Sequence, residues 1–133
     1  MNKIKHLAAL AATTAFLAPI TLSLAAAPAS AGGDDDRIIR TGDCSGRSDW
    51  KLKVKTDDGR LEVEGEVDSN VNGQRWAWTL RHNGSITARG TSTTVRPSGS
   101  FDVERRLVNL AGTDKVVFRA THGAEVCRGV VNF

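Results

Sequence analysis

From Asp49 onward, polar and apolar residues alternate along short runs rich in Val, Thr, Trp and Phe, and the runs are separated by Gly, Asn, Asp and Pro. A period of two marks strands with one buried face. It predicts seven strands, near 49–55, 60–68, 74–81, 85–95, 100–108, 115–122 and 125–133, and no segment sustains a helical period. The fold class that follows is all-β, built from antiparallel hairpins.

The first hairpin can be read to the residue. A two-residue Asp58-Gly59 turn sets Lys55 opposite Glu62, Lys53 opposite Glu64 and Lys51 opposite Glu66 on one face. On the other face it sets Val54 opposite Val63, Leu52 opposite Gly65 and Trp50 opposite Val67. One side is a charge ladder and the other is apolar, and a slip of one residue would mix the two sets. Downstream, a three-residue His82-Asn83-Gly84 loop would set Leu80 against Ile86 and Trp78 against Ala88. Arg96-Pro97-Ser98-Gly99 suits a type I turn that returns Phe101, Val103 and Leu107 to the same apolar face. That hairpin carries a cost, because Arg89 then stands opposite Arg106. Arg105 also interrupts the apolar face, which points to a bulge or a sheet edge there.

Residues 1–31 follow a different pattern. Met1 to His6 is basic, the run from Leu7 to Ala27 is uncharged, and Ala29-Ser30-Ala31 places small residues before a polar stretch. This is the form of an export signal cleaved after Ala31, and it predicts a mature chain with no membrane span. Of the 18 basic residues two, Lys3 and Lys5, fall in that leader, so residues 32–133 carry 16 basic against 15 acidic residues, a net charge of +1. The basic lean of the whole chain is therefore no nucleic-acid signature. Residues 32–43, with Asp34, Asp35 and Asp36 in a row, read as a flexible tail, since calcium loops space their carboxylates at alternate positions.

The remaining 44–133 form one small domain. Its two cysteines, Cys44 and Cys127, are exported as a pair and are expected to form a disulfide. No Cys-x-x-Cys suggests a redox centre, no Gly-x-Ser-x-Gly suggests a hydrolase, and no spacing suggests a metal site or another cofactor. His82 and His122 read as exposed loop residues. Trp76 and Trp78 share the apolar side of their strand with Leu80, so burial outweighs a sugar-stacking role.

Asp114-Lys115-Val116-Val117-Phe118-Arg119-Ala120 resembles the Asp-x-Ala-x-Tyr-x-Cys run that enters the sixth strand of immunoglobulin domains. With Val63 upstream and Trp76 or Trp78 between, the spacing is similar to the Cys, Trp, Cys core of that fold, Val63 and Ala120 standing where the cysteines would be and Phe118 where the tyrosine would be. The resemblance covers residues 49–133 and implies a seven-stranded immunoglobulin-like or fibronectin-III-like sandwich. In size, leader and terminal disulfide the chain is also similar to small secreted proteins of Gram-positive soil bacteria. These readings make it a secreted, extracellular, monomeric binding module rather than an enzyme, with a protein, a glycan or a small molecule as partner and no nucleic acid. Loops at one end of a sandwich carry such binding, which singles out Asp68, Asn70 and Asn72 in one loop and His122 and Glu125 at a neighbouring turn. A protease inhibitor presenting a rigid loop is the alternative, and an enzyme the more distant one.

Overall fold

The computed structural model describes residues 36–133, so the reading of 1–31 as an export signal lies outside the described residues, as do Asp34 and Asp35. Eight strands are present: β1 (Arg37–Asp43), β2 (Asp49–Asp57), β3 (Arg60–Asp68), β4 (Arg75–His82), β5 (Ser85–Thr93), β6 (Ser100–Val108), β7 (Lys115–His122) and β8 (Glu125–Asn132). They form two antiparallel four-stranded sheets, ordered β1-β2-β3-β6 and β5-β4-β7-β8. The strand beyond the expected seven is β1, which falls within 32–43, the segment read as a tail. It pairs with β2 from Arg37↔Lys55 to Asp43↔Asp49. Its burial is slight, with only Ile38 and Gly42 shielded, and so its own pattern carries little strand signal.

The first hairpin has the expected register, Val54↔Val63 and Lys53↔Glu64 included. Asp58 and Gly59 both have positive φ, 48° and 74°, as a two-residue turn matched to strand twist requires. Lys53 Nζ lies 2.7 Å from Glu64 Oε2, and Lys51 reaches Glu66 at 3.2 Å. The Lys53 hydrogen bond holds the Glu64 carboxyl below its ordinary range, and the hydrogen bond to Glu66 raises Lys51. Val54 and Val63 are fully buried. Val63→Ala is accordingly expected to cost about 1–3 kcal/mol, through lost burial and an incompletely relaxed cavity. Lys53→Ala and Glu64→Ala should each cost under ~1 kcal/mol, since the pair, though half-buried, lies on the outer face of the sheet, away from the core. Urea melts of the three variants check the ordering.

The second hairpin differs from the expectation. Asn83 also takes a positive φ, 48°, so Asn83-Gly84 closes a two-residue turn with His82↔Ser85 paired across it. A bulge between Leu80 and Arg81 then sets Leu80 against Ala88 and Trp78 against Gly90, and Ile86 faces out beside Arg81. Asparagine tolerates the left-handed region, which is why two residues suffice where three were expected.

The larger correction concerns β5 and β6. They do not pair as a hairpin; the chain crosses from one sheet to the other between Thr93 and Ser100. Thr94 is buried and tied to the preceding loop: its hydroxyl donates to Val71 O at 2.5 Å, and Thr94 Oγ1 accepts Gln74 N–H at 2.9 Å. Gly99 N–H donates to Val95 O at 2.9 Å rather than to Arg96 O, so Arg96-Pro97-Ser98-Gly99 is not the expected type I turn. On β3, β6 sets Arg106 opposite Glu62, and the Arg89–Arg106 clash disappears. Phe101, Val103 and Leu107 still face the core, now from the opposing sheet. β6 is a sheet edge, and Arg105 uses it to fold its guanidinium over Trp78, 5.2 Å from the ring centroid.

Between the sheets, Trp76, Phe118, Leu52, Leu61 and Leu80 are fully buried, and Trp76 meets Phe101 across the layer with ring centroids 6.3 Å apart. Gly65 leaves the slot that Phe118 fills: a Cβ there would come within 2.7 Å of the ring. Cys44 and Cys127 are bonded, joining the segment after β1 in one sheet to β8 in the other. Among the described residues no helix is long and apolar enough to cross a membrane.

Candidate functional site

The loop residues marked by the sequence do sit at one end of the sandwich, but each has its own neighbour. Asp68 closes β3 opposite Asp49 and lines an open cleft of about 440 Å³ with Asp43, Asp49 and Glu66. A hydrogen bond with Asp43 raises the Asp49 carboxyl above its ordinary range, with the Asp43 and Asp68 charges adding to the effect. Asn70, in the left-handed region at φ 57°, donates its N–H to Asp68 at 3.1 Å, and Asn72 is exposed on the same loop. His122 donates from Nδ1 to Arg75 O at 2.8 Å and lies over Trp76 at 5.4 Å. Glu125 turns to the other layer, accepting Ser48 N–H at 2.8 Å. Among the described residues no hydrogen bond joins the 68–73 loop to the 122–125 turn. No group of three or more His, Cys, Asp or Glu among them could hold a metal ion.

His82 is not the exposed loop residue expected. It is buried, with Nε2 2.6 Å from Asp114 Oδ1, and Asp114 is only 1% exposed. Asp114 also exchanges two backbone hydrogen bonds with Phe133, both 2.9 Å. The pair ties the β4–β5 turn to the entry of β7 and to the C-terminus, and it lines none of the surface hollows described here.

The distinctive surface lies elsewhere, on the outer face of β5-β4-β7-β8. Alternation sends Trp76, Trp78, Leu80, Val116, Phe118, Ala120 and Cys127 inward. Outward go Arg75, Ala77, Thr79 and Arg81 from β4, Arg89, Thr91 and Thr93 from β5, Lys115, Val117, Arg119 and Thr121 from β7, and Val126, Arg128 and Val130 from β8. That face holds six cations and no carboxylate. β4, β5 and β7 contain no Asp or Glu at all, and the one acid of β8, Glu125, is engaged with Ser48. Among the described residues none of the six has a carboxylate partner. Every ion pair lies on the other sheet or is the buried His82–Asp114 pair.

The registers stack these charges. Arg89 stands opposite Thr79, Thr79 opposite Arg119, and Arg119 opposite Arg128, one row across all four strands. Neighbouring strands are roughly 4.8 Å apart, so the row spans about 14 Å. Arg119 and Arg128 form a direct cross-strand like-charge pair, an arrangement that lowers stability. Local rules broken without compensation within the fold are expected at functional or strained sites. Two open hollows flank the row. One, of about 380 Å³, lies among Ala77, Trp78, Thr79, Arg89, Gly90, Thr91, Arg119 and Thr121; the other, of about 270 Å³, lies among Arg81, Lys115, Val117, Arg119 and Arg128. Arg119 lines both. The other sheet contrasts sharply, since its outer face interleaves Lys51, Lys53 and Lys55 with Glu62, Glu64 and Glu66.

Comparison of the chain with protein-family models, with curated proteins and with solved structures returns no match.

Proposed function

We propose that this chain is a secreted, non-enzymatic extracellular module that binds an anionic ligand through the outer face of β5-β4-β7-β8. One observation carries the reading: six cations share a sheet face with no carboxylate, although residues 32–133 have a net charge of only +1. Guanidinium forks suit planar bidentate pairing with carboxylate, sulfate or phosphate, and five of the six cations are arginines. The disulfide and the form of residues 1–31 support an extracellular setting. The scaffold is read as fibronectin-III-like. Counted from β2, the fourth strand, β5, joins the third, sixth and seventh, whereas a constant-type immunoglobulin domain places its fourth strand with the first, second and fifth.

The test is retention of the secreted protein on a sulfonate matrix at pH 7. Despite its near-neutral charge, the protein is expected to stay bound past physiological ionic strength, roughly 0.15 M. Arg89→Glu/Arg119→Glu/Arg128→Glu should elute in the wash. Arg37→Glu/Arg47→Glu/Arg60→Glu, with the same change in net charge away from this face, should lose much less. Equal loss in both triple variants, or no retention of the parent protein, would show that no localised face exists.

A further inference from the structure

We infer that the ligand is an acidic polysaccharide with an anionic group on successive sugars, held across the two hollows that meet at Arg119. The inference rests on the reading that this sheet face binds anions, and adds the class of ligand and the number of subsites. Two hollows sharing a single arginine imply a ligand with repeated anionic units, because a compact anion would occupy one and leave the other without a purpose. The hollows are offset by one strand across the sheet and by about one alternate residue, roughly 7 Å, along it. Adjoining units of one polymer span such an offset.

The lining selects among polymers. Thr79, Thr91 and Thr121 surround the first hollow between Arg89 and Arg119, and their hydroxyls both donate and accept hydrogen bonds, as sugar hydroxyls require. The second hollow is more cationic, with Arg81, Lys115, Arg119 and Arg128 around Val117. This face presents no exposed aromatic ring: Trp78 borders the first hollow but is only 4% exposed, Trp76, Phe101 and Phe118 are buried, and Trp50 and Phe133 pack on the core. Single-stranded nucleic acid needs aromatic platforms for its bases, and this face offers none. Arginines between threonines, with no stacking surface, fit charged sugars better than bases.

The experiment titrates the secreted protein by calorimetry, at physiological ionic strength, with sulfated di- and tetrasaccharides, uronate di- and tetrasaccharides, inorganic polyphosphate and duplex DNA. In at least one sugar series the tetrasaccharide is expected to bind ten-fold or more tightly than the disaccharide, which identifies sulfate or carboxylate as the anion. Arg119→Ala should remove at least ten-fold of the tetrasaccharide affinity. Arg89→Ala, which touches one hollow only, should remove less. Thr79→Val/Thr121→Val should weaken the tetrasaccharide and leave polyphosphate binding unchanged. Equal affinity for di- and tetrasaccharide would overturn the paired subsites. Polyphosphate or DNA binding as tightly as the better tetrasaccharide, with no effect of the threonine changes, would overturn the sugar while leaving the anion-binding face in place. Failure of every anionic probe would overturn the face itself.

Discussion

Replacing Cys44 and Cys127 together by alanine is expected to lower the stability of the folded domain by about 2–5 kcal/mol. The bond closes a loop across a sequence separation of 83 residues, for which the chain-entropy relation yields about 4.5 kcal/mol. Its position makes the effect more than a constraint on the unfolded chain. Cys44 begins the turn that ends at Ser48, and that turn is held by Cys44 N–H to Ser48 O and Ser45 N–H to Val126 O, both 2.8 Å. Without the bond, β1 and the turn after it keep the ladder with β2 and the hydrogen bonds to Glu125 and Val126, but lose the covalent tie to the second sheet. The expected result is a lower denaturant midpoint and early proteolysis within residues 37–48, measured on the oxidised parent and the double variant. The cationic face uses neither cysteine, so below the melting transition its affinity for a sulfated oligosaccharide should be unchanged. A variant as stable as the parent would mean that β1 and the 44–48 turn are held without the bond.

Asp114→Ala should destabilise by a comparable amount, about 3–5 kcal/mol, because it leaves a buried imidazole with no acceptor. It also removes the carboxylate facing Leu110 N–H at 3.4 Å, so the 109–113 segment loses a fastening. The discriminating measurement is a double-mutant cycle with His82→Leu. Removing both polar groups leaves no orphan, and the double variant is expected to recover a substantial part of the loss. Additive costs would show that His82 and Asp114 are not coupled in solution.

What the chain decides locally was legible before its structure. Asp58-Gly59 and the Lys and Glu runs beside it are neighbours in sequence, and the register from Val54↔Val63 to Trp50↔Val67 follows from turn geometry and alternation alone. The inward course of Trp76, Trp78 and Phe118 follows from the same period, and the disulfide from there being two cysteines. The partnership of β6 lay beyond local reading. Alternation assigns a residue to a face but does not say which strand lies alongside, and the tie of Thr94 to the 71–74 loop carries the chain into the other sheet. Strand β1 was hidden because an edge strand with little burial shows almost no pattern. His82 and Asp114, separated by 32 residues, meet only through the β4–β7 pairing.

The cationic face depended on the same long-range choices. The scarcity of acids was visible in the runs 75–82, 85–93 and 115–122, yet a net charge of +1 averages it away. Sequence alone thus determined how the first hairpin is aligned and the inward course of Trp76, Trp78 and Phe118, since those follow from a two-residue period and a two-residue turn, whereas the bulge after Leu80 and the burial of His82 did not. Only the tertiary structure put β5, β4, β7 and β8 side by side and sent β6, with Asp102 and Glu104, to the other sheet, because strand order is settled by loop attachments and packing across the core. That sorting of charge onto separate sheets placed Arg89, Arg119 and Arg128 in one row.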